Sequence, residues 1–447
     1  MKVNVIGGGL AGVEAAWALA ENGIKVNLYE QKPHKRSPAH SLNTLAELVC
    51  SNSLKAERIS SASGLLKEEM LVLGSLCVPT AKQCRVPAGG ALAVDREMFS
   101  HMITEKIEAH ENIEIIYKEI TDIPKNEYII IATGPLTEGT LAESIKNLLG
   151  QNTLSFYDAA APIVTYESID MENAFFASRY NKGEDDAYIN CPLTKEEYEV
   201  FYNELICAQQ AILHESDKPI VYEGCMPVEV MAKRGKDTLR FGPLKPVGLY
   251  HPVTNQKYHA VVQLRRENSA ATLYNMVGFQ TNLKFGEQKR VFSLIPALKN
   301  MEIIRYGVMH RNSFIDSPRH LDSSFCLKSD QNIYFAGQLS GVEGYMESAM
   351  SGLIAGLSLA KRIKKEEPLA LSRLSMCGAL CSYISDPSVK NFQPMGANFG
   401  IIPPLDVKIK DKQERYRALA ERSLTTPALS NSRCGLRDKE VSCRENK

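Results

Sequence analysis

The apolar positions of "MKVNVIGGGLAGVEAAWALAENGIKVNLYEQ" change their period twice. Val3 to Ile6 is a short β-branched run and predicts a strand. Val13, Ala16, Trp17 and Ala20 then recur at helical spacing until Gly23 stops the pattern. A second strand, Lys25 to Tyr29, ends at Glu30. The order is strand, glycine turn, helix, strand.

Residues 33–64 are loop-rich, with a helix expected after Ser53, since Ser51, Asn52 and Ser53 are all N-cap types. Residues 94–110 read as an amphipathic helix, and "IEIIYKEITDI" and "EYIIIATGP" as strands. Tyr128 to Ala132 is apolar without alternation, as expected of a central strand buried on both faces. Between about 160 and 310 the texture changes to amide and acidic clusters, short strands and Gly/Pro turns, with one helix opened by a capping box, Thr194 to Glu197. Residues 332–364 repeat the opening plan of strand, glycine turn and long helix. The predicted organisation is a first part of one domain at 1–160, an inserted domain at 161–308, the second part of the first domain at 309–424, and a flexible polar tail at 425–447. The fold class is α/β: a Rossmann-like dinucleotide-binding domain with an inserted α+β domain.

Composition adds limits. A chain of 447 residues suits two or three domains. With 52 Lys+Arg against 52 Asp+Glu, total charge advertises no nucleic-acid partner, so any such surface must come from uneven distribution. The 11 cysteines are odd in number and include no C-x-x-C, which points to a reducing, cytoplasmic setting with mostly free thiols. The nine histidines have no metal-ligand spacing, so no metal is expected. Gly7 to Gly9, then Glu14 and Glu21, make the N-terminus a poor signal peptide. No apolar run reaches the roughly 20 residues that span a bilayer, so no membrane partner is expected.

Gly7, Gly9 and Gly12 fit G-x-G-x-x-G. The first allows the tight turn, the second lets backbone approach a pyrophosphate, and the third lets helix pack on strand. The helix N-terminus formed by Gly8, Leu10 and Ala11 offers N–H groups to phosphates. Glu30, 18 residues after Gly12, can accept from ribose hydroxyls. Two later turns favour FAD over NAD as the bound dinucleotide. One is Ala-Thr-Gly, ending at Gly134, and the other holds Gly337 and Gln338 in "YFAGQLSGVEGY".

Two cysteines have unusual settings. Cys50 precedes the three N-cap residues, with Lys55 and Arg58 nearby. Cys225 stands in "GCMPVEVMAKRG", where Pro227 suits the first helical position, so Cys225 is expected just outside a helix N-terminus. Nearby cations and helix N-termini favour a thiolate.

The chain resembles the FAD- and folate-dependent tRNA (uracil-C5)-methyltransferases, relatives of the large flavoprotein of wobble-uridine modification. The resemblance runs to about residue 423 through "VIGGGLAGVEAAWALA", "AELVCSNSLKAE", "VPAGGALAVDR", "YEGCMPVEVMA", "RFGPLKPVGL", "MVGFQTNLKFGEQKRVF", "RYGVMHRNSFIDSP" and "YFAGQLSGVEGYMESAMSGLIAG". Departures are confined to Ser41–Asn43, Cys377, Cys381 and the tail. The resemblance implies methylation of uridine 54 in the tRNA T-loop. A thiolate attacks C6 of uracil and makes C5 a nucleophile. The one-carbon unit comes from methylenetetrahydrofolate, reduced FAD supplies the electrons that turn it into methyl, and NADPH or NADH recharges the flavin. It further implies that Cys225 and Cys50 meet across the domain junction. We take Cys225 as nucleophile and Cys50 as the second catalytic thiol, a choice the sequence leaves open.

A tRNA partner draws attention to Lys233, Arg234, Lys236 and Arg240, a basic run continued by Lys245, Arg265, Arg266, Lys284, Lys289, Arg290, Arg305 and Arg311. Three rivals remain. The wobble-uridine relative carries a further C-terminal helical region. A flavin-dependent thiol oxidoreductase wants a close cysteine pair. A non-catalytic tRNA-binding flavoprotein would need neither thiol.

Overall fold

The computed structural model describes residues 2–37, 39–150, 154–181, 187–211, 226–427 and 429. Strand β1 (Lys2–Ile6) feeds through Gly7–Gly9 into helix α1 (Leu10–Glu21), and strand β2 (Lys25–Glu30) returns parallel to β1. They belong to a six-stranded sheet in the order Cys326–Leu327, Asp330–Phe335, Ile129–Ile131, β1, β2, Ile113–Tyr117. Val5 faces Leu28 on one side and Ile130 on the other. Ile129, Ile130 and Ile131 are fully buried, as their unbroken apolar run requires.

α1 lies along the long helix Tyr345–Lys364. A Cβ at Gly352 would stand 1.9 Å from the carbonyl oxygen of Ala11, and one at Gly356 2.7 Å from that of Ala15. Two glycines one turn apart therefore set the spacing of the two helices.

A second six-stranded sheet runs Phe175–Phe176, Tyr188–Leu193, Ala260–Arg266, Leu273–Met276, Ile163–Thr165, Ile303–Arg305, all antiparallel. Its apolar core draws on residues between Ala161 and Met301, whereas the core under the parallel sheet draws on residues from Val3 to Leu149 and from Phe314 to Leu429. The strands Leu154–Ala159 and Met309–Phe314, one leading to the second core and one leading back, pair antiparallel. The predicted capping box is present: Thr194 Oγ1 accepts from the Glu197 N–H, and Glu197 accepts from the Thr194 N–H.

The helix expected after Ser53 is absent. Ser53–Ala56 is a strand paired with Ala91–Val94, and the helix begins only at Ala62, capped by Ser61. The polar side chains that suggested a cap are used inside the turn. Ser51 Oγ accepts from the Ser53 N–H at 3.1 Å and Ser53 Oγ from the Lys55 N–H at 3.2 Å, with Lys55 at φ 64°. Pro227 is also displaced by one place. It stands at the N-cap of a six-residue helix, Val228–Lys233, because its ψ of 139° is extended rather than helical, and the Val228 N–H, free of any intrahelical bond, goes to the Gln280 carbonyl at 2.7 Å.

Buried carboxylates hold the joints between elements. Glu14 accepts from the N–H groups of Leu76 and Cys77 at 3.0 and 2.9 Å. Glu229 accepts from Thr281 Oγ1 at 2.9 Å and the Asn282 N–H at 2.8 Å. Glu69 accepts from the N–H groups of Met376 and Cys377 at 2.8 and 2.7 Å and from Ser423 Oγ. Cys377 and Cys381 are buried in the helix that Glu69 anchors. Glu69→Ala leaves three buried donors without a partner, so it should cost about 3 kcal/mol or more, and Glu69→Gln clearly less. Urea midpoints at unchanged slope measure both. An alanine variant as stable as the parent would contradict this role.

Candidate active site

The turn that leaves β1 opens a cleft at the carboxyl ends of the parallel strands, where the fold places ligands. Gly7, Gly8, Gly9, Leu10, Ala11, Glu30, Gly134, Gly337 and Gln338 all line it. The cleft encloses about 1350 Å³ including its open mouth. Of the residues expected to hold the dinucleotide, Gly12 alone is absent from the lining, for a structural reason. A Cβ there would stand 1.7 Å from the carbonyl oxygen of Gly7, so Gly12 serves the packing of helix on turn.

The lining fits a dinucleotide. A Cβ at Gly9 would meet nothing within 4 Å, and the same holds at Gly134, so the cleft comes directly against the backbone there. No side chain caps α1, whose first turn also lacks an acid, and its N–H groups are left for an anion. Glu30 is buried and oriented. Its Oε2 accepts from the Gly8 N–H at 3.0 Å and its Oε1 from the Lys32 N–H at 2.9 Å, which leaves acceptor sites on both oxygens. Gly337, at φ 78°, gives its N–H to Ser351 Oγ at 2.7 Å, and Gln338 donates from Nε2 to Glu343 at 2.9 Å.

Val49 and Tyr345 line the same cleft, and they lead to Cys50. The Tyr345 hydroxyl accepts from the N–H groups of Cys50 and Ser51 at 2.7 and 3.2 Å and donates to Cys50 Sγ at 3.0 Å. Burial, then the neighbouring Cys50, pushes the Tyr345 phenol well above its ordinary value, so it remains a donor at neutral pH.

Three arginines grip the segment around this thiol. Arg96 donates to the Leu48 carbonyl at 2.8 Å, and Arg305 to the carbonyls of Val49 and Ala39 at 2.5 and 3.2 Å. Arg265 donates to Asn52 Oδ1 and Ser51 Oγ, both at 2.9 Å. Asn52 is fully buried and donates to the carbonyls of Val94 and Arg266, both at 3.0 Å. Arg96 also forms an ion pair with Glu267. Burial pulls the Arg265 and Arg305 guanidiniums below their usual range. At Arg96 burial pulls the same way but is outweighed by Glu267, then Tyr345 and Cys50. Guanidiniums converging on one loop favour an anion there. The sequence reading missed Tyr345 and Arg96. It placed Arg265 and Arg305 in the basic run facing RNA; Arg265 is buried and Arg305 half-buried, and both hold the Cys50 loop.

The rest of the basic run is only partly available. Lys233, Arg234 and Lys236 are exposed on and just after the helix Val228–Lys233. Lys236 pairs with Glu199 at 2.7 Å and Arg240 with Asp237 at 2.6 Å. Arg290 is held by Glu204 and Glu287. Cys225 lies outside the described residues. Among the described residues, no group of three or more His, Cys, Asp or Glu is placed to hold a metal ion, and no helix is long and apolar enough to cross a membrane.

A parallel sheet, an uncapped helix after a glycine turn and an oriented acid on the next strand define a dinucleotide-binding protein of the Rossmann kind. The family model described as glucose inhibited division protein A matches residues 2–367. The chain is 58% identical over 422 residues to a protein of Acetivibrio thermocellus named methylenetetrahydrofolate--tRNA-(uracil-5-)-methyltransferase TrmFO, covering 94% of this chain and 97% of that one. A protein of Bacillus subtilis with the same name is 53% identical, covering 95% and 97%. The crystal structure of Aquifex aeolicus GidA shares the fold at a TM-score of 0.68 and 18% identity, covering 99% of this chain and 79% of that one. The chain belongs to the glucose inhibited division protein A family and, within it, to the group of these folate-dependent tRNA methyltransferases.

Two glycine variants separate binding from folding. Gly9→Val points a side chain into the cleft at an ordinary φ of −74°, so the purified protein should lose flavin absorbance while its fold is kept. Gly12→Val drives a side chain into the Gly7 carbonyl and should yield little folded protein. Full flavin content in Gly9→Val would contradict the placement.

Proposed function

We propose that the chain methylates C5 of uridine 54 in the T-loop of tRNA, taking the one-carbon unit from methylenetetrahydrofolate and using FAD and NADPH or NADH. The observation that carries this reading is Cys50 held by Tyr345, a half-buried tyrosine that lines the dinucleotide cleft. Gly7, Gly8, Gly9, Leu10 and Ala11 would hold the pyrophosphate, Glu30 a ribose, and Gly134, Gly337 and Gln338 the remainder of FAD. When bound and reduced by NADPH or NADH, FAD would supply the two electrons that take the one-carbon unit to methyl.

The thiols do the rest. The Cys225 thiolate forms a bond to uracil C6, and the C5=C6 electron pair moves toward C5 and O4 as an enolate. C5 then bonds to the one-carbon unit as the C–N bond that carried the unit breaks, its electron pair leaving with the nitrogen. A base removes the C5 proton, the electron pair returns to the ring, and the S–C6 bond breaks. We assign the proton handling to Cys50, which Tyr345 already orients through a hydrogen bond. The central stretch, 161–308, is read as the inserted domain that carries Cys225, the exposed Lys233, Arg234 and Lys236, and the half-buried Arg240 toward the RNA. A cytoplasmic location follows from the tRNA substrate.

A 5-fluorouracil T-loop RNA tests the assignment, because fluorine cannot leave as a cation when the C5 proton normally would. Cys225→Ala should abolish both methylation and the covalent adduct and keep FAD. Cys50→Ala should abolish methylation and still form the adduct. Peptide mapping by mass spectrometry decides it: an adduct on Cys50 that survives Cys225→Ala exchanges the two roles.

A further inference from the structure

The segment "RFGPLKPVGL", residues 240–249, has no part in the cleft or around Cys50. Its apolar side chains nevertheless face solvent. Phe241 is 80% exposed and Val247 52%, with Tyr250 at 44% and Tyr180 at 55% beside them. Exposed apolar groups on a mobile loop would mean little. This loop is built rigidly.

Leu244 and Leu249 anchor it in the interior. The Leu244 N–H goes to the Leu239 carbonyl at 2.9 Å, and its carbonyl accepts from Val261 at 3.1 Å. Arg179 donates to the carbonyl of Lys245 at 2.8 Å and to that of Val247. The Tyr180 N–H donates to the Gly248 carbonyl at 2.8 Å, and the Tyr180 ring lies so close that a Cβ on Gly248, at φ 83°, would stand 2.7 Å from it. Gly278 leaves room for Pro243 in the same way. A backbone held at this many points presents Phe241 and Val247 at fixed positions.

The platform is tied to the Cys50 loop. Arg179, which clamps it, also donates to Gln263 Oε1 at 3.0 Å. Gln263 and Arg265 are two residues apart on the strand Ala260–Arg266, hence on one face and about 7 Å apart. Arg265 is the residue that holds Ser51 and Asn52. Charge favours a polyanion. Lys245 and Lys257 are exposed on and beside the platform, Lys257 lying 5.9 Å from the Tyr250 ring, whereas Asp237 and Glu199 are occupied by Arg240 and Lys236.

We propose that the 240–250 platform receives unstacked bases of the RNA loop next to the target uridine, with Phe241 stacking on a base and Lys245 meeting a phosphate. The proposal rests on the reading of the chain as a tRNA methyltransferase. Aromatic faces beside cations are the general means of holding single-stranded nucleic acid, since every base has a π-face.

The test uses the full chain with FAD bound and a T-arm stem-loop RNA, with Kd measured across a salt series. Phe241→Ala should raise Kd roughly 5- to 150-fold, the range for one lost base stack, without changing the salt slope. Lys245→Ala should reduce that slope by about one. Flavin absorbance and melting temperature should not move in either. A wild-type enzyme that methylates the RNA while Phe241→Ala binds it with unchanged Kd overturns the platform alone. A wild-type chain with no affinity for the RNA overturns the proposed function and the platform together. If Phe241→Ala instead converts a dimer to a monomer with unchanged RNA affinity, the face is a contact between two copies and the proposal fails.

Discussion

The structure turns on the grip of Arg96, Arg265 and Arg305 on residues Leu48 to Asn52. Arg96 comes from the helix that follows Val94, whereas Arg265 and Arg305 come from strands of the antiparallel sheet. The loop is thus fixed by both cores at once. A hydrogen bond to a charged donor contributes about 1.5–3 kcal/mol, and a buried guanidinium that loses its partners costs several more. With Arg265 buried among groups that accept from it, the two cores cannot separate locally without stranding a charge. That makes the position of Cys50 a property of how the two sheets meet, and any ligand that shifts one against the other acts on the thiol.

The second constraint is the close approach of α1 to the helix Tyr345–Lys364. Gly352 and Gly356 allow it, and Gly12 allows α1 to seat on the turn after β1. The two helices carry opposite ends of the chemistry. The N-terminus of α1 faces the dinucleotide cleft, and the first residue of its partner is Tyr345, which holds Cys50. Packing between two helices therefore relates the phosphate-binding turn to the thiol.

Much of this was legible in the sequence where local chemistry decides the structure. The β1–α1–β2 unit, the buried strand at Ile129–Ile131 and the capping box at Thr194 follow from periodicity, glycine placement and one N-cap residue. Every glycine expected at the dinucleotide site lines the cleft except Gly12, whose packing role the motif already assigns to it. What was not legible depends on partners far along the chain. Ser51, Asn52 and Ser53 look like a helix cap, yet Asn52 is buried against Val94 and Arg266, and the segment becomes a strand. Arg265 looks like an RNA contact because sequence shows its charge and hides its burial, and Arg305 because sequence hides the carbonyls it holds. Tyr345 gave no signal, since its partner lies 295 residues away.

The most direct measurement of the central claim is methyl transfer by Arg265→Met, assayed beside flavin content and RNA affinity. The variant keeps the volume of the side chain and removes its donors to Ser51 and Asn52. The account predicts full flavin absorbance, an RNA Kd within a few-fold of the parent, and a methylation rate lower by about 100-fold, the scale of a reacting group displaced by roughly 1 Å. Methylation at the parent rate with FAD and RNA both bound would contradict it.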